Sequence, residues 1–157
     1  MKLYITDLDG TFLDHKAEVP RLTEAVINRE IKNGVNFTYA TARSIYSAEP
    51  IMKNIDITLP VITQNGTFIV DPITKKQLVT HYFSDKSREF LIDFFDEHKE
   101  SLLVYAYFDG EEHVSWLTSN INKGVARYIK DREGDKRLRP CDNYSSLFDG
   151  EIYYVTL

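Results

Sequence analysis

Cysteine is nearly missing. Cys141 stands alone among 157 residues, so no disulfide can close within the chain, and a reducing cytoplasm is the expected setting. His81, His98 and His113 show no ligand spacing with Cys141, which argues against a zinc site. No apolar run approaches the ~18 residues of a membrane span, and Met1-Lys2 leads straight into a strand-like run with no room for a signal peptide. A basic excess is absent too. The 19 Lys and Arg against 24 Asp and Glu leave a net charge of −5, a poor match for the phosphates of a nucleic acid. Repeats and low-complexity tracts are lacking. What is present is an ordinary globular composition, 43% hydrophobic and 27% charged, long enough for a real core.

The informative stretch is the first eleven residues. Leu3, Tyr4 and Ile5 form a short run of strand formers that Gly10 interrupts. Asp7, Asp9 and Thr11 then alternate where that strand should end. In an open α/β sheet, ligands bind at the carboxyl ends of the strands. Two carboxylates there form a hard-oxygen site suited to Mg²⁺. One of them can attack phosphorus as a nucleophile, and the other can serve as general acid and base. A surface turn competes with this reading, because Asp-Gly is a common turn dipeptide. A calcium loop fits less well: Phe12 stands where an EF-hand needs Gly, and Lys2 to Thr6 reads as strand rather than helix.

A βαβ unit follows. Pro20 is placed to start a helix, Leu22, Ala25, Val26 and Ile31 recur at helical spacing, and Gly34 is a natural stop. Val35 to Ala40 then alternates as a second strand, parallel to the first. Thr41 therefore belongs at the same edge as Asp7, and strand-end amides leading into a helix make an anion site. Ser44 to Asn54 reads as a helix bent or delayed by Pro50. Pro60 to Gly66 reads as a third strand ending in Asn65-Gly66, followed by a hairpin across Asp71-Pro72.

These motifs together resemble the haloacid dehalogenase-like superfamily, whose signature is an apolar strand followed by Asp-x-Asp-x-Thr, with Gly at the fourth position in phosphatases. The resemblance implies a Rossmann-like parallel core sheet, with Asp7 as nucleophile and Mg²⁺ ligand. Asp9 would be the acid/base, its backbone carbonyl on the metal, and Thr11 would shape the turn. Thr41 matches the second motif, whose hydroxyl binds the phosphoryl group. In the Cof-type branch the local form is Ala-Thr-Gly-Arg, and here Ala42 stands at the Gly position while Arg43 keeps its place. Cof-type enzymes also carry an Asn-Gly after the third strand, as Asn65-Gly66 does. The phosphate- and substrate-binding set implied is Leu8, Gly10, Thr11, Thr41, Ala42, Arg43, Asn65 and Gly66.

From Ser84 the texture changes. A helix is predicted to Lys99, strands over Leu102–Phe108 and His113–Leu117 around an Asp109-Gly110 turn, a helix over Gly124–Arg132, a short turn at Tyr144–Phe148 and a final strand from Glu151. The basic run from Lys123 to Arg139 reads as a solvated face. This order resembles the start of the inserted α/β cap (C2-type) of Cof-type enzymes, which closes over the active site and selects substrate. The division expected is residues 1–83 as the amino-terminal half of the core and 84–157 as a partial cap. The Lys motif and the acidic Gly-Asp-x-x-x-Asp motif of the superfamily have no convincing match. The expected activity is therefore a Mg²⁺-dependent hydrolysis of small phosphomonoesters, of sugar phosphate or nucleotide type, through an aspartyl-phosphate and impaired in this chain. A dimer or a companion carboxy-terminal fragment is the expected partner, besides the phosphorylated substrate. The alternatives are an inactive binding module on the same scaffold, or a complete capless phosphatase using Lys123 and Asp135.

Overall fold

Two parallel strands carry the start of the chain. In the computed structural model, which describes residues 2–157, β1 (Leu3–Thr6) pairs in parallel with β2 (Asn36–Tyr39), in register from Leu3 opposite Asn36 to Thr6 opposite Tyr39. The crossover is α1 (Arg21–Lys32). Pro20 stays extended and caps it rather than starting it. At its end Gly34 takes φ +88° and donates to the Ile31 carbonyl, a left-handed stop that glycine adopts without strain. The next helix, α2 (Ile45–Met52), starts on a Ser44 cap and holds Pro50 inside. There the proline removes a donation to Tyr46, whose half-exposed position lets water take its place.

The third strand, β3 (Val61–Thr63), touches β2 through a parallel bridge between Ala40 and Ile62. It continues antiparallel into β4 (Phe68–Val70) and β5 (Gln77–Thr80). The chain divides into two compact units between His81 and Tyr82. In the first, β1 has a partner on one side only. Leu3, Tyr4 and Ile5 are 55%, 53% and 51% exposed, so an apolar strand stands with a bare edge.

The second unit is a four-stranded sheet in the order β8-β7-β6-β9. The central pair β6 (Leu103–Phe108) and β7 (Glu111–Leu117) is a hairpin turned at Asp109 and Gly110, both at positive φ, as a tight primed turn requires. Antiparallel β9 (Glu151–Thr156) flanks β6, and parallel β8 (Leu138–Cys141) flanks β7. Helices α3 (Asp85–His98) and α5 (Tyr144–Leu147) supply Phe95 and Leu147 to one face, against Val104, Ala106, Leu117, Phe148 and Ile152. On the other face α4 (Lys123–Lys130) packs Val125 on Leu103, Val114 and Trp116. Each side chain fully buried in these layers stabilises by roughly 1.5–3 kcal/mol.

One strand was not foreseen. The expected solvated run ends inside β8, and Arg137 and Arg139 lie partly buried in ion pairs rather than facing water. An edge strand tolerates Pro140 and needs little apolar patterning, which is why charge hid it.

Candidate active site

The turn after β1 is built by alternation. Asp7 is extended, Leu8 is fully buried, and Asp9 is again exposed. Leu8, Phe12 and Leu13 anchor the turn in the core, and the Leu13 amide donates to the Leu8 carbonyl at 2.9 Å. Gly10 sits at φ +75°, where an added Cβ would meet open space. Its requirement is therefore one of backbone conformation. Thr11 is exposed in the same turn. The Asp7 carboxylate accepts no hydrogen bond and pairs with no cation among the described residues.

Because β1 and β2 are parallel, the segment after Tyr39 emerges beside Asp7, and the Ala40 amide donates to the Thr6 carbonyl at 2.8 Å. Thr41 is buried, and its hydroxyl oxygen accepts the Arg43 amide at 3.1 Å, leaving the hydroxyl hydrogen free to donate. Ala42 is exposed, and Ser44 caps α2 by accepting the Ser47 amide. A third strand end is stitched on. The Gln64 amide donates to the Arg43 carbonyl at 3.0 Å and the Asn65 amide to the Thr41 carbonyl at 3.1 Å.

That last turn is strained. Gln64, Asn65 and Gly66 all take positive φ, at 50°, 57° and 93°. A left-handed conformation costs roughly 1–2 kcal/mol for a residue with a side chain, and strain of this kind gathers where function overrides stability. Thr63, just before it, is 1% exposed with a hydroxyl that has no hydrogen-bond partner among the described residues. Such a group costs about 1–3 kcal/mol. The sequence offered an Asn-Gly signal for the turn, but nothing in it marked Thr63 or Gln64.

The two loops meet in an ion pair. Arg43 Nε donates to Asp9 Oδ2 at 2.8 Å and Nη2 to Oδ1 at 2.6 Å, a bidentate fork. The guanidinium holds the Asp9 carboxyl below its ordinary range, and the carboxylate in turn raises Arg43. With side chains 28% and 52% exposed, the pair contributes at most about 1 kcal/mol of stability. Its chief effect is to fix direction. Of the expected substrate-binding group, Arg43 is therefore found on Asp9, while Thr41, Ala42, Asn65 and Gly66 line the adjoining strand ends.

For Mg²⁺, the chain offers the free Asp7 carboxylate and the Asp9 backbone carbonyl. Among the described residues no three His, Cys, Asp or Glu side chains converge on a point. Two hard oxygens fit a Mg²⁺ ion that keeps most of its waters. The capless alternative finds no such opening. Asp135 lies in the second unit with its carboxylate held by Arg137 Nε and Nη2, at 3.1 and 2.7 Å, and by the Arg137 amide. Lys123 opens α4 in the same unit.

Among the described residues no helix is long and apolar enough to cross a membrane. A profile of the haloacid dehalogenase-like hydrolases matches residues 4–147. Phosphatase YwpJ of Bacillus subtilis is 32% identical over 90 residues, covering 57% of this chain and 31% of its own length. The HMP-PP phosphatase of Serratia proteamaculans is 30% identical over 99 residues, covering 55% of this chain and 36% of its own. Among solved structures, the subclass IIB sugar phosphatase BT4131 superposes with a TM-score of 0.69 at 16% identity, over 99% of this chain and 57% of that one. The chain thus spans less than half the length of the curated relatives it matches.

Proposed function

The chain belongs to the haloacid dehalogenase-like hydrolase family, in its Cof-type branch, and on that premise we propose that it carries the nucleophile-bearing part of a Mg²⁺-dependent phosphatase. The observation that supports this is the tie between three strand ends: the Ala40 amide donates to the Thr6 carbonyl just before Asp7, and the Asn65 amide donates to the Thr41 carbonyl just after β2. Residues 1–83 act as the amino-terminal half of the core and 84–157 as a partial C2-type cap.

Asp7 attacks phosphorus in line, so the Oδ–P bond forms as the ester P–O bond breaks. Once released from Arg43, Asp9 takes up a proton from water, gives it to the departing alkoxide, and later accepts one from the water that cleaves the acyl phosphate. The Thr41 hydroxyl and the Ala42 amide hold the equatorial oxygens, since the Thr41 and Arg43 amides already donate to the Ile62 carbonyl and the Thr41 hydroxyl oxygen. The Asp7 carboxylate and the Asp9 carbonyl would hold Mg²⁺, which would supply charge stabilisation to the transferring group. Arg43 starts out engaged with Asp9. The phosphoryl anion competes for that guanidinium, and Asp9 is then free to turn toward the leaving oxygen. The substrate class is a small phosphomonoester of sugar phosphate or nucleotide type, in keeping with relatives named for a sugar phosphatase and an HMP-PP phosphatase. We assign a cytoplasmic setting, where Cys141 stays a thiol.

Two metal oxygens, and no further acidic cluster among the described residues, leave the chain weak on its own, since each missing preorganised charge commonly costs ~10²-fold or more in rate. The bare edge of β1 is where a companion carboxy-terminal fragment, or a second copy, would add its strand. The same shortage of ligands favours the second reading, a non-catalytic binding module on this scaffold. The test is intact mass after acid quench, with a small phosphate ester and Mg²⁺. One phosphoryl group is expected on the chain and none on Asp7→Asn. No label on either favours the binding module, and label on both overturns Asp7 as nucleophile.

A further inference from the structure

Helix α3 turns Leu91, Ile92 and Phe95 to its own core and leaves a second aromatic row outside. Phe90 is 65% exposed and Phe94 39%. Phe90 stacks on Phe94 at 6.0 Å between ring centres, and Phe94 stacks on His98 at 4.2 Å. Beside this ladder run Glu89, Asp93 and Glu97, one turn apart, exposed and in no ion pair among the described residues. Like charges at this spacing repel and weaken a helix. Exposed rings bordered by unpaired carboxylates suit a cationic partner, which can pair with the acids and stack on the ring faces.

This chain displays such a surface itself. On α4, Val125, Tyr128 and Ile129 face the core, so Lys123, Arg127 and Lys130 point outward at matching one-turn spacing. Lys123 and Lys130 are exposed and in no ion pair among the described residues. Arg127, with its side chain 84% exposed, has only a 3.5 Å contact to Asp131. We propose that α3 of one copy docks antiparallel on α4 of a second copy, setting Glu89, Asp93 and Glu97 against Lys130, Arg127 and Lys123. Phe94 then receives the Arg127 guanidinium. Because α3 and α4 cover opposite faces of one sheet, no copy can satisfy its own pair. The contact is head-to-tail and propagates to rings or chains rather than closing as a symmetric dimer.

Sedimentation velocity over a wide concentration range tests this. Weight-average mass should rise past the dimer at low salt, and fall to the monomer near 1 M salt, where charges are screened within about 3 Å. Asp93→Arg and Arg127→Asp, both surface changes, should each be monomeric alone, with unchanged circular dichroism. Mixed together they should associate again as alternating copies, because each contact between one variant and the other is complementary while contacts between like variants repel. A wild-type chain that stays monomeric at low salt overturns the proposal, even if it captures a Lys/Arg-rich peptide. Association that survives in Asp93→Arg overturns it as well and assigns the contact to the bare β1 edge.

Discussion

Asp9 and Asp135 each sit in the fork of an arginine, yet the two regions use that pair differently. Asp9 meets Arg43 across 34 residues, between loops that leave two parallel strands, and half of its side chain faces water. Asp135 meets Arg137 two residues away, and the same guanidinium reaches on to Glu112, whose side chain is 6% exposed. The first pair ties the loop after β1 to the loop after β2. The second neutralises a buried carboxylate inside a structural layer. An Asp–Arg pair is therefore no mark of a site by itself. Its position at the carboxyl edge of a parallel sheet is what makes the Asp9–Arg43 pair a candidate.

The sharpest break between the regions comes at glycine. A Cβ on Gly150 would lie 2.4 Å from Phe108 Cβ and 2.9 Å from the Tyr107 carbonyl, at φ +83°. Gly150→Ala should cost roughly 2–5 kcal/mol, adding overpacking to left-handed strain. Trp116, the sole tryptophan and buried in this unit, reports the loss by fluorescence during thermal unfolding. An unchanged midpoint would refute the close approach.

Next in size is Arg43→Ala. Losing the fork that aims Asp9 should lower any Asp7-dependent phosphoryl transfer by ~10²-fold, while the melting temperature hardly moves, because the pair is half exposed. Equal damage to rate and stability would make Arg43 a structural residue like Arg137.

Gly66→Ala is the milder counterpart of Gly150→Ala. Its Cβ meets nothing within 4 Å, so only the left-handed backbone resists, at about 1–2 kcal/mol. Faster hydrogen exchange at the Gln64 and Asn65 amides, with Trp116 fluorescence unaltered, is the expected result. A shifted Trp116 transition would show that the two units melt together.

The smallest effect concerns pH. Burial raises the Glu112 carboxyl above its ordinary value, more than Arg137 lowers it. The folded chain thus favours the protonated form, and the stability this group contributes is present below its unfolded value and declines as pH rises through the folded one. Glu112→Gln cannot ionise. Its melting temperature relative to the parent should climb between acid and neutral pH, and calorimetry showing a pH-independent difference would refute the burial account.

Much of this was legible in the residues. Asp7, Asp9 and Thr11 alternate at the end of a strand, Gly34 and Asp109-Gly110 announce their turns, and Ser84 announces α3. Each is a local rule, written in a few neighbouring side chains. The charged strand β8 was not legible, because its pairing with β7 overrides a sequence without period. Nor could the sequence show that Arg43 would grip Asp9, that Gln64 would be held left-handed, or that Thr63 would bury an unpaired hydroxyl.

The division follows from the range of the forces. Strand and helix preferences, capping and left-handed glycines act within a few residues, so the sequence by itself determined the elements and the order of Asp7, Thr41 and Asn65 along them. Salt bridges and amide ties between strand ends act across tens of residues and exist only once parallel pairing has brought those ends together. Tertiary structure alone decided that Asp9 is held by Arg43 while Asp7 is left free.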